Sequence, residues 1–221
     1  MIFIPPELNK RLGERIRHLP TRSFAKGSII LHLGDIPKCG YFIREGVIKN
    51  STIDSTGVER PVVFDMQGEV FPIGYLMGFY EEAVYYYAAF TDVTVTELSR
   101  EALDEILKSD GEVAYEFSSV LARRLIATQM RVEGLEQSRA ADKLVYTLRF
   151  MCTRFGTPLD TTHIRLGLNI TQQELANFVG LTRETTAIEM KKLQSQGAID
   201  YDRAQITVDI EKIKDIIDSL R

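Results

Sequence analysis

The chain has 221 residues, 44% hydrophobic and 26% charged, with a formal net charge of −4. That length suffices for one or two domains with a buried core, and the charge excludes a nonspecific nucleic-acid binder resting on a broad basic field. No apolar run approaches the ~18 residues of a membrane span, and two distant cysteines, Cys39 and Cys152, form neither a disulfide framework nor a metal-ligand cluster.

Met1-Ile2-Phe3-Ile4-Pro5-Pro6 is too short and uncharged to read as a signal peptide, so a cytoplasmic protein is expected. Residues 7–19 carry a helical pattern that stops before Pro20. From Phe24 to Leu98 the texture becomes β-rich. Short runs at 28–33, 41–43, 47–53, 62–65 and 93–98 alternate with turns at Gly27, Gly34, Gly46, Gly57 and Gly68. Such spacing predicts an antiparallel sandwich or barrel. No GxGxxG or Walker-type phosphate loop is present.

Residues 112–138 predict a long helix. Val113, Phe117, Leu121, Leu125, Thr128, Val132 and Leu135 recur at heptad-like spacing, flanked by Arg123, Arg124, Arg131, Glu133 and Glu136. A narrow apolar stripe between charged flanks predicts a parallel two-stranded dimer, with Phe117, Leu121, Leu125, Thr128, Val132 and Leu135 at the seam. The same pattern also suits a helix packed on its own β-domain. Residues 142–155 form a further amphipathic helix.

Residues 170–193 hold two helical patterns around a tight break. Thr171 with Glu174 three residues later is a capping box, and Leu175, Phe178 and Val179 give the first helix an apolar face. Gly180 suits the positive φ just past its end. Thr182 caps a second helix opening with Arg183, Glu184, Thr185 and Thr186. This is the layout of a DNA-reading helix-turn-helix, whose second helix offers its N-terminal side chains to the major groove. Two β-type runs at 198–201 and 205–208, joined by Asp202-Arg203-Ala204, predict the hairpin of a wing. From Ala140 onward Lys and Arg number 11 and Asp and Glu 11, so this reader rests on a few placed cations, helix N-termini and dimerisation.

Phe24-Ala25-Lys26-Gly27, Gly34-Asp35, Tyr41-Phe42-Ile43-Arg44-Glu45-Gly46, Gln67-Gly68-Glu69 and Thr91-Asp92-Val93, then the long helix and residues 170–193, follow in order. In that order the chain resembles the CRP/FNR family of bacterial transcription regulators. The resemblance implies an α+β protein with an N-terminal antiparallel β-roll (jelly-roll-like) sensor domain over 1–110. A long dimerisation helix over 111–138 and a C-terminal winged helix-turn-helix over 139–221 would follow. It also implies a homodimer on a palindromic promoter site, with RNA polymerase as a further partner and a small-molecule effector as the switch.

Two departures shape the expected chemistry. Cyclic-nucleotide binders of the family grip the ribose with Gly-Glu and the cyclic phosphate with a following Arg. Here Gly74-Tyr75-Leu76 stands at the first place, and no Lys or Arg occurs between Arg60 and Arg100. A buried phosphodiester without a cation is costly, so cyclic AMP is not the expected effector. Tyr75, Phe79, Tyr80, Tyr85, Tyr86, Tyr87 and Phe90 would instead line a pocket for an aromatic or other apolar molecule, or serve as core and surface of the roll. Thr128 and Gln129 fall where the family lets the long helix touch the effector. No cofactor or metal is expected: an iron–sulfur cluster takes about four cysteines, and His18, His32 and His163 lie in no haem-like setting.

In the recognition helix, Arg183 and Glu184 match the family's opening pair, suited to a guanine edge and a cytosine amino group. Ile188 stands where a later Arg is usual and would touch a thymine methyl. Gln173, Thr182, Thr185 and Lys191, followed by Lys192, are the expected phosphate contacts, and Thr171 is a further expected DNA-binding residue. An effector-independent or thiol-redox-tuned regulator through Cys39 and Cys152 is the alternative. No nucleophile–base motif or metal-ligand spacing points to an enzyme.

Overall fold

A computed structural model describes residues 9–220, which divide into two compact units between Arg123 and Arg124. The division falls inside the long helix. The opening Met1–Pro6 reading, and Glu7 and Leu8 of the expected first helix, lie outside the described residues.

The first unit starts with α1 (Lys10–Arg15), then β1 (Thr21–Phe24), β2 (Ile29–Leu31), β3 (Gly40–Glu45), β4 (Val47–Ile53), β5 (Glu59–Met66) and β6 (Val70–Phe71). A single helical turn α2 (Ile73–Leu76), β7 (Tyr86–Ala89), β8 (Val93–Leu98), α3 (Arg100–Ser109) and the start of α4 (Gly111–Leu135) complete it. The strands form two antiparallel four-stranded sheets, β1-β8-β3-β6 and β2-β7-β4-β5, as expected of a β-roll. Period-2 alternation assigns each face. Tyr41 and Ile43 of β3, Phe71 of β6, and Val93 and Val95 of β8 point into the roll with Ile48 and Tyr87. Phe42, Val70 and Leu98 point outward and are covered by Leu12, Ile16, Leu76, Leu103, Val113 and Phe117.

Phe71 is the hub of the interior. It is fully buried and stacked between Tyr41 at 5.1 Å and Tyr87 at 5.8 Å between ring centroids. The interior also holds a buried polar pair, with Asn50 donating Nδ2 to Asp65 Oδ2 at 2.7 Å.

Three expectations change. The strands expected at 28–33 and 62–65 become Ile29–Leu31 and Glu59–Met66. Strands β1, β6 and β7 fall outside the expected runs, because β1 is a largely exposed polar strand, β6 is only two residues long and β7 lies in the tyrosine run. Phe117 is not left for a partner helix: it is buried in its own unit, with Leu121 partly buried on the same cluster. Leu125, Val132 and Leu135 remain exposed, at 61%, 51% and 37%.

The second unit continues from α4 into α5 (Ala140–Phe155), β9 (Gly156–Pro158), β10 (His163–Leu166), α6 (Gln172–Val179), α7 (Arg183–Ser195), β11 (Ile199–Asp202), β12 (Gln205–Asp209) and α8 (Ile210–Ser219). Its antiparallel sheet runs β11-β12-β10-β9. Residues 163–170 alternate strictly, with Ile164, Leu166, Leu168 and Ile170 buried and their neighbours more exposed. The fully buried face of α5 carries Leu144, Leu148, Met151 and Cys152. Among the described residues no helix is long and apolar enough to cross a membrane.

Replacing Phe71 by Ala is expected to lower stability by about 3–5 kcal/mol, since it opens a cavity and removes two ring contacts. Urea unfolding followed by tyrosine fluorescence checks this; a loss under about 1 kcal/mol would contradict the stacked interior.

Candidate nucleic-acid interface

The reader is built by local side-chain chemistry before any tertiary packing is needed. Thr171 accepts the backbone N–H of Glu174 at 3.2 Å, and the Glu174 carboxylate takes the N–H and hydroxyl of Thr171, both at 2.8 Å. Gly180 ends α6 at φ 78°, which glycine adopts with little penalty and which turns the chain towards α7. Thr182 then caps α7 through Thr185 N–H at 3.1 Å, and the two hydroxyls lie 2.9 Å apart.

Packing fixes which face of α7 is free. Thr186, Met190 and Leu193 are buried at helical spacing. The opposite stripe carries Glu184, Ile188, Lys191 and Ser195, all exposed, with exposed Arg183 at the N-terminal edge. Ile188 is 56% exposed, unusual for an isoleucine without a partner surface. Of the residues singled out from the sequence, Thr182, Arg183, Glu184, Thr185, Ile188 and Lys191 are thus gathered on α7 and its N-cap. Thr171 and Gln173 stand at the start of α6, Gln173 giving its Nε2 to Asn177 at 2.8 Å. Glu189 is drawn to Lys192 at 2.7 Å, which engages that lysine within its own helix.

The hairpin after α7 turns through Arg203 and Ala204, with φ of 45° and 70°. Both central residues are left-handed, as tight hairpins require. Ala204 accepts the N–H of Ile170 at 2.9 Å, and the Tyr201 hydroxyl, whose pKa burial raises, lies against the Gln172 backbone. The wing is therefore tied to the start of α6. Arg203, read from the sequence only as part of a turn, stands exposed at its tip.

The expected effector residues fare differently. Leu76 is buried in the helix-side cluster, at the wall of a surface pocket of about 240 Å³ that it shares with Met77, Arg100 and Leu107, whereas Tyr87 is buried in the roll interior. The Tyr75 ring lies under the Arg100 guanidinium, 4.7 Å away, and packs on the helix-side cluster, whereas Tyr85 packs inside the roll. Tyr86 is half-buried against His32, and a Cβ on Gly74 would strike the Tyr80 ring at 2.5 Å. Arg100 also gives its Nε to the Tyr75 carbonyl at 2.9 Å and pairs with Glu81 at 3.0 Å. The cation-free stretch after Arg60 thus folds back onto the first arginine that follows it. Thr128 donates its hydroxyl to the Arg124 carbonyl of its own helix at 2.9 Å, and Gln129 is exposed.

The two thiols lie in different units. Burial raises the Cys152 pKa to about 12; burial and then Glu97 raise that of Cys39. Neither has the lowered pKa of a reactive thiol. Among the described residues no group of three or more His, Cys, Asp or Glu is placed to hold a metal ion.

A β-roll in one unit and a capped helix-turn-helix with its wing in the other define a winged-helix DNA-binding transcription regulator. Comparison with known proteins agrees: residues 21–110 match the family model of the cyclic nucleotide-binding domain, and residues 138–216 that of the Crp-like helix-turn-helix domain. The chain belongs to the CRP/FNR family of transcription regulators. The global nitrogen regulator of Synechocystis sp. is 27% identical over 200 residues, covering 90% of this chain and 88% of that protein. The cAMP-activated global transcriptional regulator CRP of Salmonella typhimurium is 26% identical over 212 residues, covering 94% and 98%. The crystal structure of a CRP/FNR-family regulator from Thermus thermophilus superposes with a TM-score of 0.69 at 24% identity, covering 90% and 98%. These relatives are regulators, not enzymes.

Thr182→Ala is expected to cost about 1 kcal/mol of stability through the lost cap, measured by chemical denaturation. In a thiol titration at pH 8, Cys39 is expected to react slowly and Cys152 only on unfolding. Rapid labelling of Cys152 in the folded protein would contradict its burial.

Proposed function

We propose that the protein is a cytoplasmic homodimer that reads a palindromic promoter site through α7 and is switched by a small-molecule effector other than cyclic AMP. The observation that carries the DNA reading is the exposed stripe of α7, which presents Arg183, Glu184, Ile188 and Lys191 from a helix capped and packed on its other face. Arg183 suits a guanine O6/N7 pair, Glu184 a cytosine amino group and Ile188 a thymine methyl. Thr171, Gln173, Thr182, Thr185 and Lys191 would hold the phosphate backbone, and Arg203 at the wing tip would join them. The roles divide into sensing over 1–110, dimerisation over 111–138 and DNA reading over 139–221.

The exposed apolar positions of α4, Leu125, Val132 and Leu135, support pairing with a second copy. Pairing would bring two readers to half-sites one DNA turn apart. RNA polymerase would meet the DNA-bound dimer. For the effector, the absence of Lys and Arg between Arg60 and Arg100 supports a ligand without a buried phosphodiester. The interior of the roll, aromatic around Phe71 and polar at Asn50, suits an apolar or aromatic molecule with a hydrogen-bonding group. The effector acts only in proportion to its preference for the DNA-competent state.

Selection of the full-length protein against random duplex DNA, with and without cell extract, is expected to return a two-fold symmetric site of about 20 base pairs. No enriched site under either condition would end the DNA reading. On the recovered site Arg183→Ala is expected to cost about 1–3 kcal/mol and relax one G·C position, while Arg203→Ala weakens all sequences alike and lowers the salt slope by about 1. Val132→Glu is expected to halve the mass by analytical ultracentrifugation; an unchanged mass would contradict pairing through α4.

A further inference from the structure

Away from the reader and from the roll interior, the first unit holds an open cavity of about 460 Å³ between α1 and β3. That volume lies within the ~300–1,000 Å³ of small-molecule sites. Arg44, at the end of β3, is its dominant feature. The side chain is half-buried, lies over the Phe42 ring at 5.2 Å, and gives its Nε to the Thr96 hydroxyl at 2.7 Å. Its two outer nitrogens have no carboxylate partner among the described residues. Arg17 on the rim is likewise unpaired among the described residues, and Lys10 also lines the cavity, against one acid, Glu14.

A half-buried guanidinium without an anion is unusual in a stable domain, since buried charges are normally paired. The sequence around it makes room for this charge. Gly13 sits inside α1, where glycine is less favourable than alanine. A Cβ there would stand 3.3 Å from Arg44 Nη1 and 3.4 Å from the Phe42 ring. Glycine thus lets the guanidinium approach the helix backbone closely. The floor is equally incomplete. Asn9 is 2% exposed and gives its Nδ2 to the Gly68 carbonyl at 2.8 Å, but its Oδ1 is buried with no donor among the described residues.

We propose that this cavity is a binding site for a small-molecule anion, whose phosphate or carboxylate group seats on the outer nitrogens of Arg44 and is enclosed by Arg17 and Lys10. The planar fork of a guanidinium matches both anions with two parallel hydrogen bonds. The site is separate from the one proposed for the effector and does not depend on DNA binding.

The test is titration calorimetry of the full chain at constant ionic strength, with inorganic phosphate and succinate as separate probes and chloride as the balancing salt. Saturable one-to-one binding of either probe is expected; phosphate alone would mark a phosphorylated ligand, and succinate alone a carboxylate. Arg44→Gln is expected to abolish the binding, and Gln67→Glu, which adds a negative charge on the exposed rim, to weaken it at least tenfold. No saturable binding of either probe, or an unchanged Kd in Arg44→Gln, overturns the proposal. Should Arg44→Gln fail to fold, Gln67→Glu and Arg17→Gln decide, and unchanged affinity in both would overturn it equally.

Discussion

Phe178 of α6 is held on two sides, and the reader depends on that grip. The Phe150 ring of α5 approaches it at 5.7 Å between centroids, and the Arg131 guanidinium of α4 lies 3.6 Å from its centroid. Burial lowers the Arg131 pKa to about 10, the sign of a cation removed from much of its water. The ring face offsets part of that cost, by up to about 2 kcal/mol where such contacts are desolvated. Because α6 cannot shift without breaking this stack, the Gly180 turn launches α7 from a fixed point. A mixed aromatic and cationic clamp fixes orientation more narrowly than an apolar contact of equal area, since the guanidinium must keep to the ring face.

The first unit solves a different problem. Two sheets close over stacked aromatic rings, and the buried pair of Asn50 and Asp65 sets polar groups beside this apolar filling. Buried polar groups rigidify an interior when satisfied and are costly when not. Their presence among packed rings gives this interior a chemical identity beyond hydrophobic closure. Outside the roll, α1, α2, α3 and the start of α4 share one cluster. The apolar stripe of α4 therefore serves two ends: Val113 and Phe117 close their own unit, and Leu125, Val132 and Leu135 are left for something else.

Much of this is legible in the residues. Caps are short-range chemistry, so Thr171, Glu174, Gly180 and Thr182 announce the helix-turn-helix within a residue or two. The long strands at Val47–Ile53 and Val93–Leu98 show the expected β texture and emerge at the expected limits. What escapes the sequence is what depends on distant partners. A heptad-like repeat cannot say whether Phe117 meets a second copy or its own β-sheet, because both surfaces are apolar. The tyrosine run resembles a pocket because aromatic residues suit both pockets and cores; only the register of β7 shows that Tyr87 points inward while Tyr86 turns away. Arg44 enters the sequence reading only as one member of the Tyr41–Gly46 run, since nothing there reveals that a charged side chain has been left without a counter-charge.

The caps at Thr171 and Thr182 also carry a thermodynamic consequence. Both helices of the reader have their first turns capped, and their apolar faces buried, by residues of the chain itself. A reader that folded on its target would show a large negative heat-capacity change from ordering its own chain. Here that ordering is already complete, so the heat capacity of DNA association reports the buried contact surface and the water released from it. Operator affinity should accordingly change gently with temperature, a useful property for a protein that must rank similar sites consistently.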